Sequence, residues 1–132
     1  MKEVQLNVKH EVEVVLELFS DPDFALPRII PGYGSHTGKD TFQVIGVLGL
    51  YPYIMEGRVF KGSVIKYVFR MIDGLKGAGN IEISSIENYI KFLVDYEGDS
   101  KSMFESSFEK GIKKLSKSIN EDIRLERIKR KI

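Results

Sequence analysis

Apolar and polar residues alternate from the start of the chain. Val4, Leu6 and Val8 interleave with Glu3, Gln5, Asn7 and Lys9, which predicts a strand with one buried and one wet face. From Val12 to Phe19 the pattern fits two periods: Val12, Val14, Leu16 and Leu18 alternate, whereas Val12, Val15, Leu16 and Phe19 share one face of a helix. One strand running from Val4 to Leu18 would exceed the usual length of about 3–10 residues. The expectation is therefore a strand to about Lys9 and a short helix over Val12–Phe19. Asp21 is placed to cap a second short helix with Pro22 at its first position, and Pro31–Gly32 ends it. Gly32 to Lys39 reads as a polar loop.

Period-two patterning then dominates. Strands are predicted over Thr41–Leu48, Tyr51–Phe60, Ser63–Ile72, Gly77–Ser84 and Ile86–Tyr96, with turns at Gly49–Leu50, Lys61–Gly62, Asp73–Gly74 and Ser84–Ser85. Such short connections make neighbouring strands antiparallel. Gly46, Gly57, Gly77 and Gly79 suit bends that let a sheet curl. In the Tyr51–Phe60 strand the register is weakly specified, because Ile54 and Phe60 compete with Tyr53 and Met55 for the inner face.

After Asp99 and Ser100, the pattern becomes helical. Phe104, Phe108, Ile112, Leu115, Ile119 and Ile123 recur at steps of three and four, with Lys101, Glu105, Glu109, Lys113, Lys117 and Glu121 opposite. One helix from Ser100 to about Arg127 would be roughly 42 Å long. A ten-residue strand spans about 34 Å, so the helix is expected to cross the sheet and overhang it. The chain reads as a single domain over residues 1–132, α+β in class.

Composition removes several functions. The 132 residues hold no cysteine, so disulfides, thiolate zinc sites and cysteine nucleophiles are excluded. Twenty basic residues meet nineteen acidic ones for a net charge of +1, which gives no field of the kind that nucleic-acid binders carry. No segment is long and apolar enough for stable membrane insertion, and the expected location is the cytoplasm. Abundant Ile and Lys with few Asn and Gln lean toward a thermophile.

Chemical motifs are sparse. Gly32-Tyr33-Gly34-Ser35-His36-Thr37-Gly38-Lys39-Asp40 resembles a phosphate loop, but Tyr33 and Asp40 stand where the pattern needs Gly and Ser or Thr. His10 and His36 have no zinc spacing, so neither a metal nor a cofactor is expected. His36 is the candidate acid or base, with Glu56 as a second; no catalytic residue is assigned. The basic run from Arg124 to Lys131 suits a helix C-terminus, and Leu125, Ile128 and Ile132 are candidates to pack on a second copy of the chain in a homo-oligomer.

Element order and one local motif resemble a known family. Asp21–Pro22 followed by Ile30–Pro31–Gly32, within the stretch from Val8 to Gly32, is similar to the START and birch-pollen-allergen-like superfamily (SRPBCC), nearest to its members associated with carbon monoxide dehydrogenase. The resemblance implies a helix-grip fold: a curved antiparallel sheet of six to seven strands wrapped around a long C-terminal helix, with two short helices after the first strand. It also implies a cavity that holds a hydrophobic, lipid-like or polyketide-like molecule. The inward positions that would line it are Phe42, Val44, Tyr53, Met55, Ile65, Tyr67, Phe69, Met71, Asn88, Ile90, Phe92, Phe104, Phe108 and Ile112. Asn88, Tyr53 and Tyr67 would be its polar anchors. The alternatives are an enzyme of the same fold, cyclase- or aromatase-like, and an assembly factor for a redox enzyme.

Overall fold

Alternation places one row of each strand inward, and the rows meet in one sheet. The computed structural model describes all 132 residues. In chain order the elements are β1 (Lys2–Asn7), α1 (Val12–Phe19), α2 (Pro22–Ile29), β2 (Tyr33–Gly38), β3 (Thr41–Leu48), β4 (Tyr51–Phe60), β5 (Ile65–Asp73), β6 (Gly77–Ile86), β7 (Tyr89–Gly98), α3 (Lys101–Leu115) and α4 (Ile119–Arg130). Seven antiparallel strands line up as β1-β7-β6-β5-β4-β3-β2. The helices cover one face: α1 packs on β6, α2 on β2, and α3 on β7 and β1. The opposite face keeps Ile45, Val47, Phe60, Val68 and Ile72 exposed. No helix is long and apolar enough to cross a membrane.

Four expectations change. The stretch predicted as a loop from Gly32 to Lys39 is largely the edge strand β2, paired with β3 through His36↔Val44 and Gly38↔Phe42. An edge strand needs backbone pairing on one side only, so it forms without an apolar row of its own. The turn predicted at Ser84–Ser85 lies instead at Glu87–Asn88, where Glu87 takes a φ of 55°. The register of β4 resolves with Tyr53, Met55 and Val59 inward, after a bulge between Ile54 and Met55. Finally, the single long C-terminal helix is two helices of 15 and 12 residues.

Serine chemistry accounts for that break. The Ser116 hydroxyl donates to the Lys113 carbonyl at 2.6 Å, and the Lys117 and Ser118 amides donate three residues back, to Lys114 and Leu115. Such local bonds compete with the helix ladder and tighten the turn. The apolar stripe survives it, since Ile112, Leu115, Ile119 and Ile123 are all buried. After the turn α4 does not overhang. It lies back on the start of the chain: Asn120 accepts the Lys9 amide at 2.8 Å, Arg127 pairs with Glu11 at 2.7 Å, and Arg130 pairs with Asp21 at 2.6 Å.

Glycines set where strands approach closely. Phe42 pairs across the ladder with Gly57, and a Cβ on Gly57 would stand 2.7 Å from the Phe42 ring. Tyr53 lies over Gly46 in the same way, 2.5 Å from its missing Cβ. An aromatic ring laid across a cross-strand glycine recovers the packing that the glycine lacks.

Candidate functional site

Thirteen of the fourteen predicted lining residues are brought together, but as packing partners. From Phe42 to Ile112 they belong to one core cluster of 34 buried side chains. Tyr96 stacks on Phe104 at 4.3 Å between ring centroids, Phe69 lies 5.6 Å from Phe104, and Phe19 meets Phe92 edge-on at 5.3 Å. Aromatic rings at these distances pack directly against one another, while Phe42 and Phe69 also border a concavity on the far side of the sheet.

The polar anchors are used internally. Tyr53 donates its hydroxyl to the Pro31 carbonyl at 2.5 Å, and Tyr67 donates to the Phe19 carbonyl at 2.6 Å. Burial pushes both phenols far above their ordinary pKa, with the charges of Asp21 and Asp40 adding to the rise at Tyr67. Asn88 is not inside at all: it sits exposed in the β6–β7 turn, because that turn lies three residues later than the sequence suggested. Glu56 also faces outward, paired with Arg70 at 2.5 Å. Glu105, expected on the wet side of α3, is buried and accepts from the α-ammonium of Met1 at 2.7 Å.

Two concavities remain prominent. The larger, about 770 Å³, lies on the helix-free face around Gly57, rimmed by Arg58, Phe60, Val68 and Arg70. The other, about 570 Å³, lies at the seam where α2 and the start of β2 meet α3 and α4. We take the second as the candidate site, because Tyr33 on its wall continues into a hydrogen-bonded cluster of titratable groups. Pro27, Ile30 and Leu115 supply its apolar surface, and Ser107, Gly111 and Lys114 its α3 wall. Their spacing of four and three residues puts the last three on one helical face. Arg28 is held in place: its Nε donates to Asp122 at 3.2 Å, Nη1 donates to the Phe24 carbonyl at 2.8 Å, and the guanidinium lies 4.0 Å above the Phe24 ring.

Tyr33 joins this cleft to a chain of hydrogen bonds. Its hydroxyl is 2.7 Å from His36 Nδ1, His36 Nε2 is 2.8 Å from Asp23 Oδ1, and Lys39 pairs with the other Asp23 oxygen. The sequence singled out His36 but not its partners. Tyr33 and His36 are three apart, so in a regular strand they would face opposite ways. A bulge between Tyr33 and Ser35 brings them to one side, and Gly34 was the only local signal for it. Hydrogen bonds from Lys39 and then His36 hold the Asp23 carboxyl below its ordinary pKa. Burial, aided by the Asp23 charge, raises that of Tyr33. Asp23 is therefore a carboxylate that only accepts, so His36 Nε2 donates to it. In the neutral ring Nδ1 is then the acceptor for the Tyr33 hydroxyl. No group of three His, Asp or Glu side chains is arranged to hold a metal ion.

Comparison with known proteins adds the following. A protein-family model matches residues 1–132, the full chain. No curated protein matches. Among solved structures, the crystal structure of a hypothetical protein from Sulfolobus tokodaii is similar over 100% of both chains, with 28% sequence identity and a TM-score of 0.88.

Proposed function

The chain belongs to the family whose model spans residues 1–132, and on that premise we propose that it binds a small, largely apolar molecule at the seam between the sheet and the C-terminal helices, in the manner of a helix-grip protein. The strand order β1-β7-β6-β5-β4-β3-β2, with two short helices after β1 and the last helices on the same face, supports that fold type. The ligand is lipid-like or polyketide-like, and its apolar body rests on Pro27, Ile30 and Leu115.

Gly111 carries the reading. It is the one glycine of α3, it lies on the cleft wall, and a Cβ there would meet nothing within 4 Å. Glycine inside a helix costs about 1 kcal/mol relative to alanine, and here no packing constraint requires it. The missing side chain leaves that stretch of the cleft wall open to a ligand. A volume of about 570 Å³ is also within the range of small-molecule sites.

The experiment is a titration with a solvatochromic apolar dye, followed by displacement with a long-chain fatty acid. Binding should be saturable, lost in Gly111→Phe and retained in Arg58→Ala on the opposite face. Loss in Arg58→Ala with retention in Gly111→Phe would move the ligand to the outer groove and overturn the proposal.

A further inference from the structure

Resting on the reading of the seam cleft as a ligand site, we infer that Tyr33, His36 and Asp23 form a proton relay, and that the ligand carries a weakly acidic hydroxyl, as in a phenol or an enol, whose proton the relay takes up on binding. Tyr33 belongs to both parts. It lines the cleft, and its hydroxyl is in bonding contact with His36.

The step balances with one proton and no external reactant. The ligand hydroxyl gives its proton to the Tyr33 oxygen as the Tyr33 proton passes to His36 Nδ1. Two O–H bonds break, one O–H and one N–H bond form, and no electrons leave the site. Tyr33 ends neutral, in keeping with the burial that disfavours its phenolate. His36 ends as an imidazolium donating to the Asp23 carboxylate through Nε2, and the ligand remains as an anion facing Lys114 and Arg28, the latter already paired with the Asp122 carboxylate of the same cleft.

Fixed neighbours surround His36. Its side chain is only 11% exposed, so protein groups rather than bulk water form most of its surroundings. From α2 these are Asp23 and, just before the helix, Asp21, which Arg130 of α4 neutralises. The β2–β3 turn supplies Lys39, which shares the Asp23 carboxylate. From β3, Val44 stands opposite His36 and brings no charge. Tyr33 and His36 thus stand as proton acceptor and base with Asp23 as orienter.

The probe is a nitrophenol bearing an alkyl chain, coloured only as its anion, together with its methyl ether, which has no proton to give. Both should bind the intact protein. The anion-to-acid ratio of bound phenol should exceed that of free phenol at the same pH by about tenfold, one pK unit. Titration calorimetry in two buffers of different ionisation heat should show no proton released, because His36 retains it. In His36→Gln, whose side chain lies outside the cleft, the ether should bind as before, whereas the anion excess should disappear both there and in Tyr33→Phe. Equal anion excess in both variants, or one proton released by the intact protein, would assign the effect to Arg28 and Lys114 and overturn the relay. Phenol bound in its acid form overturns it too. If the intact protein binds neither probe, the cleft reading itself falls. Circular dichroism reports whether each variant is folded, and should Tyr33→Phe not fold, His36→Gln decides alone.

Discussion

Tyr67 on β5 donates its hydroxyl to the main-chain oxygen of Phe19, the last residue of α1, across 2.6 Å of buried interior. Carbonyls in the last turn of a helix have no partner within the helix, so a side chain from the sheet supplies one. Tyr53 on β4 likewise holds the Pro31 carbonyl just beyond α2, and Tyr96 on β7 holds the Asp99 carbonyl in the turn that leads into α3, at 2.9 Å. Two strand tyrosines thus tie the ends of helices to the sheet, and a third fixes the entry to α3. Tyr67→Phe leaves the Phe19 carbonyl buried and unpaired, and should cost about 1–3 kcal/mol. Urea unfolding should show a lower midpoint at unchanged slope.

The same tyrosines set an alkaline limit. Burial raises the folded-state pKa of Tyr53 and Tyr67 above the unfolded value, so the folded protein binds these protons more tightly than the unfolded chain does. Their contribution is full below about pH 10, the unfolded tyrosine pKa, and falls as the pH rises above it. Stability measured by denaturant from pH 8 to 12 should therefore drop beyond about pH 10. Tyr67→Phe, less stable at neutral pH, should lose less over that interval; an equal drop would mean that the phenol does not drive it.

Two glycines should respond in opposite directions. Gly57→Ala drives a methyl group onto the Val68 carbonyl and the Phe42 ring, and should destabilise by about 1–3 kcal/mol, as overpacking does. Gly111→Ala meets open space and should stabilise by about 0.5–1 kcal/mol through helix propensity. Thermal unfolding of the two variants gives the signs directly.

Arg130→Ala tests how α4 is held. The guanidinium pairs with Asp21 at 2.6 Å and Glu126 at 2.9 Å, with its side chain 29% exposed. Its loss should cost about 1–2 kcal/mol, as for charge-assisted bonds that are partly screened. Deleting residues 125–132 should cost more, because Arg127 and its bond to Glu11 go too. Hydrogen exchange should then show faster opening of α1 and α2, while β3 and β4 stay protected.

Much of the fold was legible where alternation and turn residues agreed. β3, β4 and α1 begin and end where the pattern placed them. β2 was not, because Tyr33-Gly34-Ser35-His36-Thr37-Gly38 carries no apolar row for the rule to find. The break in the C-terminal helix had a local sign, since Ser118-Ile119-Asn120-Glu121 has the S-x-x-E form of a helix start. The unbroken apolar stripe outweighed it. For the site, face patterns gave the inward residues but not the volume they leave, which depends on how rings such as Tyr96 and Phe104 stack. The Asp23–His36 bond spans thirteen residues and two elements, and no spacing rule reaches across that distance.

The return of α4 onto the beginning of the chain bears on synthesis. His10 bonds to Asn120, Arg28 to Asp122 and Asp21 to Arg130, all across more than ninety residues. Contacts of such sequence separation form late and slow folding. As the protein emerges from the ribosome, α1 and α2 can pack against early strands, but the charges at their ends wait for residues 119–130. Until these arrive the seam that holds the candidate site lacks Asp122 and the partner it gives Arg28, so the nascent chain completes that cleft only once the first turn of α4 is in place.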